Sequence, residues 1–260
     1  MLWWAGVAVA LLIASAVYFL FFTPPTLRIG IADSAGIAAA RPARLLVVRF
    51  RPDPDIVVLD FPARGAEGAM LNRVTAFLDK QGVPHDRVLS DAELAAAIRA
   101  SGATPDDYAA PAFPAAGLVR FFRTMARDRV APNPEEGKLR ALVGQLHWFA
   151  PGAVGALAVL PGPIRQALAG AAYFVSPAYA VDAERFFHDV LTPGEQEEFR
   201  RFLAARGVDT DSSDVVVNRA QAMVVGGRTI PSGIAPGRWE ALRAGYVQGI
   251  PLDWLKKIAN

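Results

Sequence analysis

The sequence predicts an α+β fold: a predominantly helical body with a small N-terminal sheet, behind one N-terminal transmembrane helix. Three observations carry that prediction. An uncharged apolar run occupies residues 2–22, two β-branched runs flank a proline-rich turn near residue 53, and capped, helix-periodic segments fill most of the remaining chain.

The apolar run "LWWAGVAVALLIASAVYFLFF" holds no charge and no proline. About 20 such residues at ~1.5 Å rise match a hydrocarbon core of roughly 30 Å. Trp3, Trp4 and Tyr18, with Phe19, Phe21 and Phe22, put aromatic rings toward both ends, where they favour the interface. Thr23, Pro24 and Pro25 then stop the helix. A cleaved secretory signal is the competing reading. The segment before the run lacks Lys and Arg, however, the run exceeds the usual length of roughly 7–15 residues, and the small-residue "ASA" at 14–16 lies inside it. The expected organisation is therefore a membrane anchor over 1–25 and a single globular domain over 26–260. Orientation has arguments on both sides. Arg28, Arg41 and Arg44 come after the helix, which the positive-inside bias assigns to the cytoplasm, whereas a signal-like segment ahead of a long domain commonly exports it. We read the chain as a single-pass inner-membrane protein with a periplasmic body at the cell envelope.

Residues 45–50 and 56–61 are apolar and β-branched, separated by "RPDPD", and read as a hairpin or two sheet strands. Met70, Leu71, Val74, Phe77 and Leu78 recur at helical spacing before Gly82 and Pro84. In "SDAELAAAIRASG", Ser90 with Glu93 forms a capping box and Gly102 supplies the stop. Leu118, Phe121, Phe122 and Met125 share one helical side, as do Leu139, Leu142, Val143, Leu146 and Phe149. The short "PGAVGALAVLPGP" is a buried strand or a loop, too short to cross a membrane. Residues 164–174 and 176–191 read as helices. Thr192, Pro193 and Glu195 form a second capping box on a helix closed by Gly207. "SSDVVVNRAQAMVV" fits helix or strand equally.

Composition narrows the chemistry. Lys and Arg number 27 against 25 Asp and Glu, a net charge of +2, so no basic field points to nucleic acid. The absence of cysteine excludes disulfides and thiolate sites. Three histidines bound any imidazole mechanism. His85 lies in a turn and His147 at a helix end, where it can meet terminal carbonyls. His188 has Glu184 at i−4, the spacing of a base and its orienter or of two metal ligands, but without a third ligand a surface pair is the simpler reading. Asp53, Asp55, Asp106 and Asp107 sit in turns, and "DTDSSD" at 209–214 lacks the glycine and terminal glutamate of a calcium loop. No glycine spacing supports a phosphate cradle.

In "IRQALAGAAYF" and "NRAQA", Tyr173 with Phe174, and Asn218 with Gln221 and Ala222, resemble two blocks of a gluzincin-like zinc metallopeptidase family of alphaproteobacterial, membrane-anchored or exported proteins. That resemblance implies a zinc helix with two His at i and i+4, a Glu base between them, and a third ligand from a Glu in the second block. Here the implied ligand positions hold Gln166, Gly170 and Arg219, and Ala167 replaces the base. An amide, a glycine and a cation cannot hold zinc, so the resemblance implies a pseudo-enzyme with no metal and no cofactor. Its candidate cleft comprises Gln166, Ala167, Gly170, Tyr173, Asn218 and Arg219, and its expected partner is a protein or peptide. Two alternatives stand beside this reading: a hydrolase of another class built on His147, or on Glu184 and His188, and a purely structural assembly factor of the membrane.

Overall fold

A computed structural model describes residues 27–160, 162–227 and 230–260. The expected anchor lies outside them, and among the described residues no helix is long and apolar enough to cross a membrane.

Five strands form one mixed sheet: β1 (Ile29–Ala32), β2 (Leu46–Phe50), β3 (Ile56–Asp60), β4 (Ala112–Pro114) and β5 (Ala156–Leu160), in the order β1-β2-β3-β5-β4. The "RPDPD" turn joins β2 to β3 as the expected antiparallel pair, Leu46 opposite Asp60 and Val48 opposite Val58. The sheet is not confined to the N-terminal segment. The alanine-valine run that fitted strand or loop is β5, parallel to β3 with Val58 opposite Ala158, and β4 closes the far edge antiparallel to β5. Strands β3 and β5 are buried on both faces, which explains their unbroken apolar runs.

Helices cover both faces. Beneath one lie α2 (Arg64–Asp79), α4 (Ala115–Arg127) and α5 (Pro134–Gln145), sharing a core with Val57, Leu59, Leu157 and Val159. Helix α3 (Asp91–Ala100), started by the Ser90–Glu93 capping box, adds Ile98 to a small cluster with Leu89 and Tyr108. The opposite face packs α1 (Ser34–Ala39), α6 (Ile164–Val175), α7 (Pro177–Arg185), α8 (Pro193–Ala204), α9 (Ser213–Gly226), α10 (Pro236–Gly249) and α11 (Asp253–Ala259) over Val48, Ile56, Val58, Ala156 and Ala158. Alanines on both β5 and α6 let that helix lie close on the sheet, and the ambiguous valine-rich segment is α9, drawn into a helix by its packing on α6.

Candidate functional site

Helices α6 and α9 are locked together by buried amides. Asn218 Nδ2 donates to the Gly170 carbonyl (3.3 Å), and Gln221 Nε2 donates to the Ala169 carbonyl (3.1 Å) and to Asn218 Oδ1 (2.9 Å). Tyr179 Oη donates to Gln221 Oε1 at 2.5 Å. Asn218 and Gln221, two residues of the "NRAQA" block, thus fasten this helix pair.

Arg219 leaves that seam and reaches α2. Its Nη2 meets Asp79 Oδ2 at 2.8 Å and its Nε donates to Asp79 Oδ1 at 3.2 Å, a two-pronged pair whose side chains are only 12% and 10% exposed. Lys80 is buried beside it, its Nζ 4.6 Å from the Tyr108 ring centre and donating to the Arg206 carbonyl at 3.1 Å. Burial lowers the Lys80 pKa and the Arg219 charge adds to that, while Asp79 opposes it. The Tyr108 phenol is pushed up to about 12, first by burial and then by the Asp79 carboxylate.

The Arg219–Asp79 pair divides a groove. On one side a cavity of about 460 Å³ is lined by Gln166, Lys80, Arg206 and Met223. On the other a cavity of about 470 Å³ is lined by Phe174, Arg120, Asp214 and Asn218. Strand β4 and the segment that leads into it border the two cavities: residues 109–111 line the first and residues 112–114, the strand itself, the second. The amide of Val159 donates to the Pro111 carbonyl and that of Ala115 to the Gly155 carbonyl, with Phe113 opposite Leu157. Residues 111, 113 and 115 therefore turn their polar groups toward β5. The amide and carbonyl of Ala112 face the outer edge, along the second cavity, while the carbonyl of Pro114, the N-cap of α4, is taken by that helix's first hydrogen bond.

The six residues of the candidate cleft are only partly brought together. Gln166, Arg219 and Asn218 line the groove. Gly170 is sealed between α6, α9 and β4, where an added Cβ would lie 3.1 Å from that of Ala112. Ala167 is buried in the core. Tyr173 departs from the expected cleft: its hydroxyl donates to Glu184 at 2.9 Å, and Phe174 lines the groove in its place. Burial, then the bond to Glu184, raises the Tyr173 pKa.

The alternative site is dispersed. His188 meets Glu184 at 3.2 Å, with side chains 45% and 37% exposed, on the π-helical turn Phe186–Val190 that ends α7. His147 is elsewhere, exposed and left-handed (φ 57°) after α5; its backbone amide, not its ring, returns to the Gly144 carbonyl at 3.0 Å. His85 is half-buried, its Nδ1 2.8 Å from the Phe77 carbonyl, so it clasps the end of α2. None of the three lines either cavity of the groove. Among the described residues no three His, Asp or Glu side chains are grouped to hold a metal ion. Sequence reasoning missed Asp79 and Lys80, whose signal was a charged pair directly after the apolar Ala76, Phe77 and Leu78 at the end of α2.

Comparison with family models, with curated proteins and with solved structures returns no match, so the functional reading rests on geometry alone.

Proposed function

We propose that the chain is a membrane-anchored, metallopeptidase-like binding protein without peptidase activity, which holds an extended protein or peptide segment in the groove beside β4. The observation that carries this reading is the position of the Arg219–Asp79 pair between two cavities, one along an edge strand whose outward Ala112 amide and carbonyl are unpaired within the sheet and one along the segment that leads into it. An extended segment added to such an edge gains backbone hydrogen bonds, and the cavities on either side accept its alternate side chains. Arg219 and Lys80 set the electrostatics and favour an acidic residue or a terminal carboxylate near the pair. The residues at the implied ligand positions do not fit zinc: Gly170 offers no donor, and Arg219 is a cation already committed to a carboxylate.

Selection of a displayed peptide library against the full chain tests the reading. Enriched peptides should bind saturably, lose at least tenfold in affinity to Arg219→Glu, and remain uncleaved after zinc addition. Enrichment of no sequence, affinities indifferent to Arg219→Glu, or zinc-dependent cleavage overturns it. Stoichiometric zinc in the purified chain, read by elemental mass spectrometry, would overturn it as well.

A further inference from the structure

A separate cavity lies at the carboxyl ends of the central strands. Strands β3 and β5 are adjacent and parallel, yet β3 leads into α2 beneath one face and β5 leads into α6 on the other. Adjacent parallel strands whose connections leave to opposite faces open a crevice beyond their carboxyl ends, and such crevices are where open sheets take small ligands. A cavity of about 490 Å³ is found there, lined by Ile37, Arg41, Asp60, Pro62, Leu160 and Ile164 among others.

Its polar equipment is unusual. Asp60 ends β3 and is only 7% exposed. The alternation of β3 places Ile56 and Val58 on the α6 face, so Asp60 turns to that face as well, into the cavity. Among the described residues its carboxylate has no hydrogen-bond donor and no cation within ion-pair distance, and its oxygens meet solvent only through the cavity. Arg41 stands on the cavity wall without reaching Asp60; its guanidinium donates to the carbonyls of Ala38 (3.0 Å) and Ala40 (2.7 Å) and keeps further N–H groups free. The third element is the start of α6. Pro163 caps it with no side-chain hydrogen bond, so the first amides of this 12-residue helix lack a capping acceptor beside the cavity.

An unpaired carboxylate of a largely buried residue on one wall, and a guanidinium with an open helix N-terminus on the other, are complementary to a dipolar ligand. We infer that this cavity binds a small zwitterion, with a primary ammonium held by Asp60 and a phosphate or carboxylate a few bonds away held by Arg41 and the first turn of α6. Burial raises the Asp60 pKa and Arg41 lowers it, as for a carboxylate awaiting a positive partner. This site is independent of the groove beside β4, and its failure would leave the peptide-binding reading untouched.

Two sources of such a ligand exist: a free metabolite and a phospholipid headgroup. The lipid source is suggested by the expected anchor. Ile29 lies opposite Val47, and Leu46 opposite Asp60, so the chain enters the described body at Leu27 on the same edge of the sheet as the cavity. From residue 22 to residue 27 the chain reaches at most roughly 18 Å. An anchor over 2–22 therefore puts this end, with exposed Arg28, Arg41 and Arg44, near the bilayer surface.

The test is calorimetric titration of the full chain, in a maltoside detergent, with phosphoethanolamine, glycine and phosphocholine. Phosphoethanolamine or glycine should bind saturably at one per chain. Phosphocholine, whose quaternary nitrogen donates no hydrogen bond, should bind at least tenfold more weakly than phosphoethanolamine. Asp60→Asn, nearly isosteric, and the surface change Arg41→Gln should each weaken the bound zwitterion at least tenfold, with thermal melts verifying that both variants fold. Reconstitution in phosphatidylcholine nanodiscs with and without phosphatidylethanolamine separates the sources. Weaker titration by free phosphoethanolamine when the lipid is present assigns a headgroup site, and equal titration assigns a free zwitterion. Absence of saturable binding by both phosphoethanolamine and glycine overturns the inference, as does a site that phosphocholine fills equally well or that Asp60→Asn leaves unchanged.

Discussion

Breaking the Asp79–Arg219 pair from either side should cost unequal amounts, and the inequality originates in Lys80. A fully buried ion pair that loses one partner costs about 3–5 kcal/mol, because the other charge is left uncompensated. Here both side chains are about a tenth exposed and border cavities open to solvent, so the appropriate range is lower, on the order of 1–3 kcal/mol. Asp79→Asn leaves two cations, Arg219 and buried Lys80, with no anion between them, and belongs at the upper end. Arg219→Gln leaves Asp79 with Lys80 as its neighbour of opposite charge and removes the repulsion that Arg219 exerts on Lys80, so it belongs at the lower end. The double change Asp79→Asn/Arg219→Gln should cost less than the sum of the two by at least about 1 kcal/mol. Urea unfolding of the full chain in mild detergent, monitored by near-ultraviolet circular dichroism, measures all four corners of the cycle. Equal single costs, a larger cost for Arg219→Gln, or an additive double would refute the electrostatic account of the groove.

Glu67 is buried on α2, and desolvation first, with Asp107 and Asp106 also contributing against the opposing Arg64, raises its pKa from 4.5 to about 7. A folded-state pKa above the unfolded value means that the native state binds the extra proton, so stability should fall as pH rises from about 4.5 to 7, and Glu67→Gln should flatten that slope in unfolding titrations. Glu195 shows the opposite sign: its bond to Arg238 leads the causes that lower its pKa to about 2, so its contribution is present above about 4.5 and is lost as pH falls toward 2; Arg238→Gln should remove most of that dependence. Gly68→Ala, a change that favours an ordinary helix, should instead destabilise by about 1–3 kcal/mol in urea unfolding, because the new Cβ would lie 2.5 Å from the Pro105 carbonyl oxygen. Tyr179→Phe leaves buried Gln221 Oε1 without its donor and should cost about 1–3 kcal/mol by the same measurement.

What the chain reveals in advance divides by range. The capping boxes at Ser90–Glu93 and Thr192–Glu195 form as expected, because their chemistry is contained within four residues. The hairpin of β2 and β3 is equally local, set by a proline-rich turn between two apolar runs. The rest depends on contacts between segments far apart in the chain. Nothing near residue 158 says that its strand lies parallel to β3, and nothing near residue 216 decides helix over strand until α6 supplies a packing surface. The site divides the same way. Arg219 is conspicuous as a charge in a valine-rich helix, but its partner Asp79 is 140 residues away, and the two meet only because α2 and α9, on opposite faces of the sheet, both reach the groove at its β4 edge. Asp60 reads in sequence as the end of a strand, and its isolation is visible only once the strand's pleat and the start of α6 are fixed in space.

On the proposed reading, the departures from the zinc pattern are mutually dependent features of one packed arrangement. A glycine at 170 lets β4 approach α6 until an added Cβ would meet Ala112 at 3.1 Å, so a histidine there would drive the edge strand outward. A carboxylate at 219 would face Asp79 in a site from which a cation had been removed, and like charges at that separation cannot both ionise without cost. Installing a histidine at 170 or a carboxylate at 219 therefore destabilises the body before any metal can bind. The close approach of β4 to α6 and the Arg219–Asp79 clasp give the groove its division into two cavities, and building a metal site there would dismantle the feature that the binding reading depends on.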